Sequence, residues 1–295
     1  MPVIGDKPEF NLKTVVYATD FSLSSQNAGL YAARIASYAS ATLLVAHAFT
    51  LSQGALEVEA DHVLLSQQRK DLNLLLSREA NLLGSDSIHA IPTLLEGDPK
   101  TVIPELADTN APAMMVLGTH GRGGLERGII GSIAEQILRS SQWPSLTVGP
   151  LVKSASSKAL PFERILFATD FTSAAASVAA YAVSLAEVFG AKLDVLNVIE
   201  DGAIDHPDRL SDLQSRFYGA LDELVPERAK KFCDPRTFVA VGGAHDRILE
   251  HIKERSIDLL VLAIRKTSHL SMEMRTSGAF RIIVEAECPV LTIRK

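Results

Sequence analysis

Gly118–Ser132 reads GTHGRGGLERGIIGS, and it stands between a short apolar run, Met114-Met115-Val116-Leu117, and the segment Ile133-Ala134-Glu135-Gln136-Ile137-Leu138. The run has the character of a buried strand and the segment has helical spacing, so a glycine-rich loop joins a strand to a helix N-terminus. Such a junction suits an anion. The N–H groups of a first helical turn have no intrahelical acceptor, and the helix dipole adds positive potential. Ser132 and Glu135 have the S-x-x-E spacing of a capping box, which predicts a helix start at Ser132. Glycine in the loop permits positive φ and lets a phosphate approach the backbone without meeting a Cβ.

Spacing narrows the kind of loop. No Lys-Ser or Lys-Thr pair follows a glycine as a Walker A loop requires, and Gly121-x-Gly123 is followed by Glu126 and comes late in its unit, unlike a dinucleotide fingerprint. What stands here is Gly118, two residues, Gly121, nine residues, then Gly131-Ser132. That spacing resembles the ATP-binding motif of the universal stress protein family. The resemblance implies that Gly118, Gly121, Gly131 and Ser132 cradle the triphosphate and ribose of ATP. The plainer alternative is a glycine-rich surface loop without a ligand, which gives no reason for a strand, loop and capped helix at the family's full spacing.

Working outward, the chain contains an internal repeat. Val15-Val16-Tyr17-Ala18-Thr19-Asp20-Phe21-Ser22 returns as Ile165-Leu166-Phe167-Ala168-Thr169-Asp170-Phe171-Thr172, and Val116–Val148 aligns without a gap on Val261–Ile293. Between the copies lies the small, polar, Ser-rich stretch Pro150–Leu160, so residues 1–150 and 160–295 are read as two domains with a linker over 151–159. In the first copy the pattern predicts strands at Thr14–Ala18, Thr42–Ala48, Ile88–Leu95, Met114–Leu117 and Ser145–Val148. Helices are predicted between them at Ser22–Ser40, Val58–Leu83, Pro99–Asn110 and Ser132–Ser140. The second copy predicts strands at Arg164–Ala168, Lys192–Val198, Arg236–Ala240, Leu259–Ala263 and Val290–Ile293. Apolar strands alternating with helices imply an α/β fold: two tandem Rossmann-like domains, each a parallel sheet covered on both faces. The family resemblance covers nearly the whole chain and implies five strands per domain.

Composition bounds the function. The chain has 295 residues, 47% hydrophobic and 22% charged, with a net charge of −6. That is ordinary for globular domains and gives no basic field for nucleic acid. Cys233 and Cys288 are too few for a disulfide framework and lack metal spacing. The N-terminus has no apolar core of signal-peptide type and no apolar run reaches membrane-spanning length, so a cytoplasmic protein without a membrane partner is expected.

Ligands of open α/β sheets sit beyond the carboxyl ends of the strands, where Ala18-Thr19-Asp20, Ala48 and Gly118 converge. The resemblance implies a binding set of Ala18, Thr19, Asp20, Ala48, Gly118, Gly121, Arg122, Gly131, Ser132 and Ile133. In it, Ala18 and Ala48 offer backbone to adenine, and Asp20 bonds the ribose or reaches the phosphates through a metal, usually Mg2+. The position of Asp20 predicts equally a structural carboxylate at a helix N-terminus. Arg122 and Arg127 are candidates to neutralise phosphate charge. His120 and His47 have no orienting carboxylate or nucleophile fixed by spacing and read as a loop residue and a satisfied core residue. In the second copy Ala263, Lys266 and Thr276 stand at the places of Gly118, Gly121 and Gly131, and only Ser277 matches Ser132. ATP is therefore expected in the first copy, although Arg265, Lys266 and Arg275 keep the second loop basic. The function expected is a nucleotide-dependent stress or regulatory protein; the alternatives are a slow ATPase or nucleotide-dependent enzyme, and a scaffold binding another small molecule. The final strands, Ser145–Val148 and Val290–Ile293, are expected to pair the repeats as an intramolecular pseudo-dimer, or else to pair two chains as a homodimer.

Overall fold

The computed structural model describes residues 12–50, 59–119, 130–154, 162–171, 173–200, 210–227, 229–264 and 278–294. The chain divides into two compact units, one of Asn11–Leu125 with Gly131–Val148, the other built on Gly149–Lys295.

The N-terminal unit runs β1 (Thr14–Ala18), α1 (Leu23–Ala39), β2 (Thr42–Phe49), α2 (Glu59–Leu83), β3 (Ala90–Glu96), α3 (Pro99–Thr109), β4 (Ala113–Gly118), α4 (Ser132–Ser140) and β5 (Ser145–Val148). Its strands are parallel in the order β3-β2-β1-β4-β5. Val15, Val16 and Tyr17 of the central strand are fully buried, as expected of an apolar run covered on both faces. Right-handed crossovers send β1 to β2 to β3 in one direction and return the chain to β4 on the far side of β1. α1 packs near α2, and α3 near α4, one pair for each direction of winding. The strand order thus reverses between β1 and β4, which defines the switch point of the sheet.

Local signals account for the helix ends. Ser22 caps α1 by accepting the Ser25 N–H, and Ser40 closes it in a left-handed conformation, φ 51°. Asp98 caps α3 ahead of Pro99, and the Gly84 N–H bonds the Ala80 carbonyl just past α2. The observed β1, β5 and α4 match the expected bounds, and the other elements of this unit differ only by one or two residues at their ends.

The C-terminal unit runs β6 (Arg164–Thr169), α5 (Ser173–Phe189), β7 (Lys192–Ile199), α6 (Leu210–Leu224), a 3-10 turn (Ala229–Lys231), β8 (Arg236–Val241), α7 (Ala244–Arg255), β9 (Leu259–Ile264), α8 (Gly278–Glu285) and β10 (Val290–Arg294). Its parallel strands lie in the equivalent order, β10-β9-β6-β7-β8. Among its described residues a charged cluster lies in the core. Asp194 on β7 accepts hydrogen bonds from His251 Nε2 at 3.0 Å and Arg255 Nε at 3.1 Å, and Phe238 covers both donors. Burial alone would raise the Asp194 carboxyl, but the bonds from His251 and Arg255, with their charge, outweigh it and hold the group below its ordinary 3.8. Cys233 and Cys288 are free and buried.

Candidate functional site

The parallel registers bring three strand ends together. Ala18 ends β1, paired with Ala46 of β2 on one side and Leu117 of β4 on the other. Gly118 follows Leu117, and Ala48 lies near the end of β2 opposite Leu95. Ala18, Ala48 and Gly118 are thereby grouped around the switch point, where the sequence places them.

Thr19 and Asp20 leave β1 in different directions. Thr19 is buried, its N–H bonded to the Ala46 carbonyl and its own carbonyl bonded to His47 Nδ1 at 2.7 Å. The second unit repeats this bond with Asn197, whose Nδ2 donates to the Thr169 carbonyl at 2.8 Å. A carbonyl only accepts, so His47 carries its proton on Nδ1. Asp20 is half-buried, and its Oδ1 accepts the Ser22 N–H at 3.0 Å in a turn that feeds α1. Phe21 then takes a left-handed conformation, φ 64°, and packs its ring at a tilt of 40° against His47; Phe171 repeats the angle at 57°. The Phe21–His47 platform beside the site carries no motif of its own.

Beneath the strand end lies a polar network that local sequence does not announce. The Tyr17 hydroxyl sits 2.7 Å from the Ser25 carbonyl and 2.6 Å from Glu79 Oε1, so its single proton is shared between two acceptors. Thr19 Oγ1 joins through Glu79 and Ser25. Burial first, then the Glu79 charge, push the phenol above its ordinary value, so Tyr17 remains a donor. The network ties β1, α1 and α2 together directly below Thr19.

The two described glycines of the loop owe their identity to space rather than to backbone angle. Neither has positive φ, contrary to the sequence expectation. A Cβ on Gly118 would sit 2.9 Å from Ser24 Oγ and 3.1 Å from the Ser24 backbone, so its bare Cα is what lets β4 lie against the first turn of α1. In the second copy Ala263 stands at the place of Gly118 and Ala174 at that of Ser24. A Cβ on Gly131 would meet the Thr119 carbonyl at 3.2 Å, and the Gly131 N–H donates to that carbonyl at 2.7 Å. This bond closes the loop at its stem, so the chain leaves β4 and enters α4 at one point.

The capping box does not form. Gly131 is the N-cap of α4, with no side-chain cap bond, and Ser132 is the first helical residue. Glu135 turns instead to Arg139, one turn later, where Nε and Nη2 both reach Oε1, at 3.0 and 2.7 Å. The (i, i+4) ion pair outcompetes the backward reach to the helix start. Ser132 and Ile133 are exposed, and helix geometry offers their N–H groups no intrahelical acceptor. Among the described residues, no side chain caps the helix end at the switch point, the arrangement that suits an anion. Gly121 and Arg122, together with His120 and Arg127, lie outside the described residues, as do Lys266, Thr276 and Ser277 of the second copy. Among the described residues no group of three or more His, Cys, Asp or Glu is arranged around a metal position, and no helix is long and apolar enough to cross a membrane. Mg2+ needs no such cage: it binds through one or two carboxylates plus ligand phosphates, and Asp20 fits that donor set.

Comparison with known proteins agrees with this geometry. A family model described as the universal stress protein family matches residues 11–149 and 161–294. Universal stress protein MJ0531 of Methanocaldococcus jannaschii is 30% identical over 138 residues, covering 46% of this chain and 81% of that protein. Universal stress protein YxiE of Bacillus subtilis is 26% identical over 147 residues, 45% of this chain and 99% of that protein. Over the whole length, the crystal structure of a universal stress protein from Archaeoglobus fulgidus superposes with a TM-score of 0.68 at 18% identity, covering 96% of both chains. With both repeats matched by one family model and the full two-repeat fold shared with a solved relative, the chain belongs to the universal stress protein family, as two tandem copies of its domain.

Proposed function

We propose that the N-terminal unit binds one ATP with Mg2+ and that the chain serves as a nucleotide-dependent stress or regulatory protein of the cytoplasm. The observation that carries this reading is the N-terminus of α4: a bare glycine N-cap, tied to Thr119 at the strand switch point, with no side-chain cap hydrogen bond among the described residues. Gly118, Gly121, Gly131, Ser132 and Ile133 would surround the phosphates, with Arg122 adding positive charge. Ala18 and Ala48 would face the base, and Asp20 the ribose or the metal. Mg2+ supplies neutralisation of the phosphate oxygens. Thr19, held inward by its own bonds, acts as a support for the strand end. The nucleotide is a structural or signalling ligand here, and the C-terminal unit, lacking the loop glycines, does not take ATP.

Calorimetric titration of the full chain with Mg-ATP is expected to return one site, and mass analysis of small molecules released on denaturation is expected to find adenine nucleotide. Two equivalent sites, or no affinity, would count against the reading, and rapid turnover would move it toward an enzyme. The proposal also keeps the expected pairing of the repeats through Ser145–Val148 and Val290–Ile293. Cysteine pairs placed across those strands should cross-link within one chain; cross-links between chains would instead mean a homodimer.

A further inference from the structure

Helix α2 has two faces. Leu76, Glu79 and Ala80 are buried, with Leu65, Leu72 and Leu83 half-buried along the same line. On the outer side Val63, Leu64, Leu74, Leu75 and Leu82 are between 43% and 76% exposed. At 3.6 residues per turn these five fall within about 120° of the helix circumference. Gln67, Asp71 and Arg78, all exposed, lie in the same stripe. Single exposed leucines are normal, but five exposed apolar side chains gathered on one face of a 25-residue helix, with charged residues set between them, suit an interaction surface.

The order of residues identifies the partner. Asp71 and Arg78 stand two turns apart near the middle of the stripe, with Leu74 and Leu75 midway between them. A two-fold axis passing between Leu74 and Leu75, perpendicular to the helix, sets Asp71 opposite Arg78 of a second copy and Arg78 opposite its Asp71. The same operation brings the Leu74–Leu75 pair of one copy against that of the other and sets Leu82 level with Gln67. The middle of the face is therefore complementary to itself, charge against opposite charge around an apolar centre, the defining property of an isologous contact. Within its own helix Asp71 accepts only a local bond from Gln67 Nε2, at 2.9 Å, which leaves the carboxylate on the surface.

We propose that the outer face of α2 is a self-pairing surface, through which two copies of this chain associate by antiparallel α2 helices about an axis between Leu74 and Leu75. One helix pair buries less than the roughly 800 Å² per partner of a standard interface, so the association is reversible and concentration-dependent. It does not depend on nucleotide or on the edge strands.

Sedimentation of the full chain up to about 1 mM, the range of the weakest specific complexes, tests the proposal. The parent protein is expected to dimerise, less so at high salt. Asp71→Arg, which faces arginine with arginine twice, should weaken the dimer by about tenfold or more, the order expected when two exposed ion pairs become repulsions. Asp71→Arg/Arg78→Asp restores both pairs and should recover the parent constant. Leu74→Glu should leave a monomer with unchanged Trp143 fluorescence and circular dichroism. A parent chain that stays monomeric throughout, an unaffected Asp71→Arg dimer, or a double variant that fails to recover would each overturn the proposal. So would binding of the stripe to lipid vesicles by a monomeric parent, since the occupant would then be a membrane surface.

Discussion

Replacing Tyr17 by Phe deletes one oxygen from a fully buried side chain and nothing else. The oxygen lies 2.7 Å from the Ser25 carbonyl and 2.6 Å from Glu79 Oε1; the Ser25 carbonyl sits inside α1, where the helix supplies another donor, so the loss falls on buried Glu79. Thr19 Oγ1, at 3.2 Å from both carboxylate oxygens of Glu79, offers only partial compensation. A buried acceptor stripped of its donor costs about 1–3 kcal/mol, with charged acceptors at the upper end, so about 2–3 kcal/mol is expected here. With a urea m-value of about 1–3 kcal/mol/M for a unit of this size, the unfolding midpoint should fall by about 1 M. The assay can be confined to the right half of the molecule, because the single tryptophan, Trp143, lies in the N-terminal unit. The second repeat carries Phe167 and Ala175 where the first has Tyr17 and Ser25, so an apolar version of this site is compatible with the fold. Tyr17→Phe/Glu79→Leu should accordingly cost less than the sum of the two single changes, with a coupling of about 1 kcal/mol or more. A Tyr17→Phe variant within about 0.5 kcal/mol of the parent would refute the reasoning, since that is the scale of an ordinary surface substitution.

Gly131→Val should lower nucleotide affinity more than about tenfold, a loss of 1.4 kcal/mol, because its Cβ would already stand 3.2 Å from the Thr119 carbonyl before branching. Trp143 fluorescence should show the unit still folded, and full ATP binding by the variant would mean that the phosphates lie elsewhere. Asp194 has a folded value below its ordinary 3.8, so its contribution to stability is present above about pH 4 and drains away as pH falls through the lower folded value. Asp194→Asn should flatten that acid limb, as followed by hydrogen exchange of peptides from the C-terminal unit; an unchanged limb would mean that other carboxylates set it. Burial, aided by Glu187 and Asp234, pushes the Cys233 thiol up to about 11, and burial raises Cys288 further. Neither should react with a thiol reagent at pH 8 until denaturant is added, and a fast thiol in the native protein would contradict their placement.

The elements were legible because their signals are local. Alternating apolar runs, Ser22 as N-cap and Pro99 at the first helical position all act within a few residues of the feature they specify. The capping box misled because Glu135 has two partners in reach, and sequence alone does not weigh a backward bond to the helix start against Arg139 one turn on. Gly118 was recognised for the wrong physical reason. Its constraint is Ser24, far away in sequence, and only the packing of β4 on α1 shows it. The link between Tyr17 and Glu79 spans 62 positions and leaves no periodic trace in either segment. The strand ends singled out by the switch-point rule do lie side by side, because topology, unlike a side-chain contact, follows from the order of strands and helices.

The hydrogen bond from the Gly131 N–H to the Thr119 carbonyl pins both ends of the intervening segment to one point on the scaffold. That bond by itself holds the end of β4 beside the start of α4. The cost of lengthening such a closed segment grows only with the logarithm of its length. The sequence between the two pinned ends can therefore change at little cost to the sheet. The two repeats align without a gap over that segment, yet Gly121 of the first is Lys266 in the second, a change of that kind within a single chain.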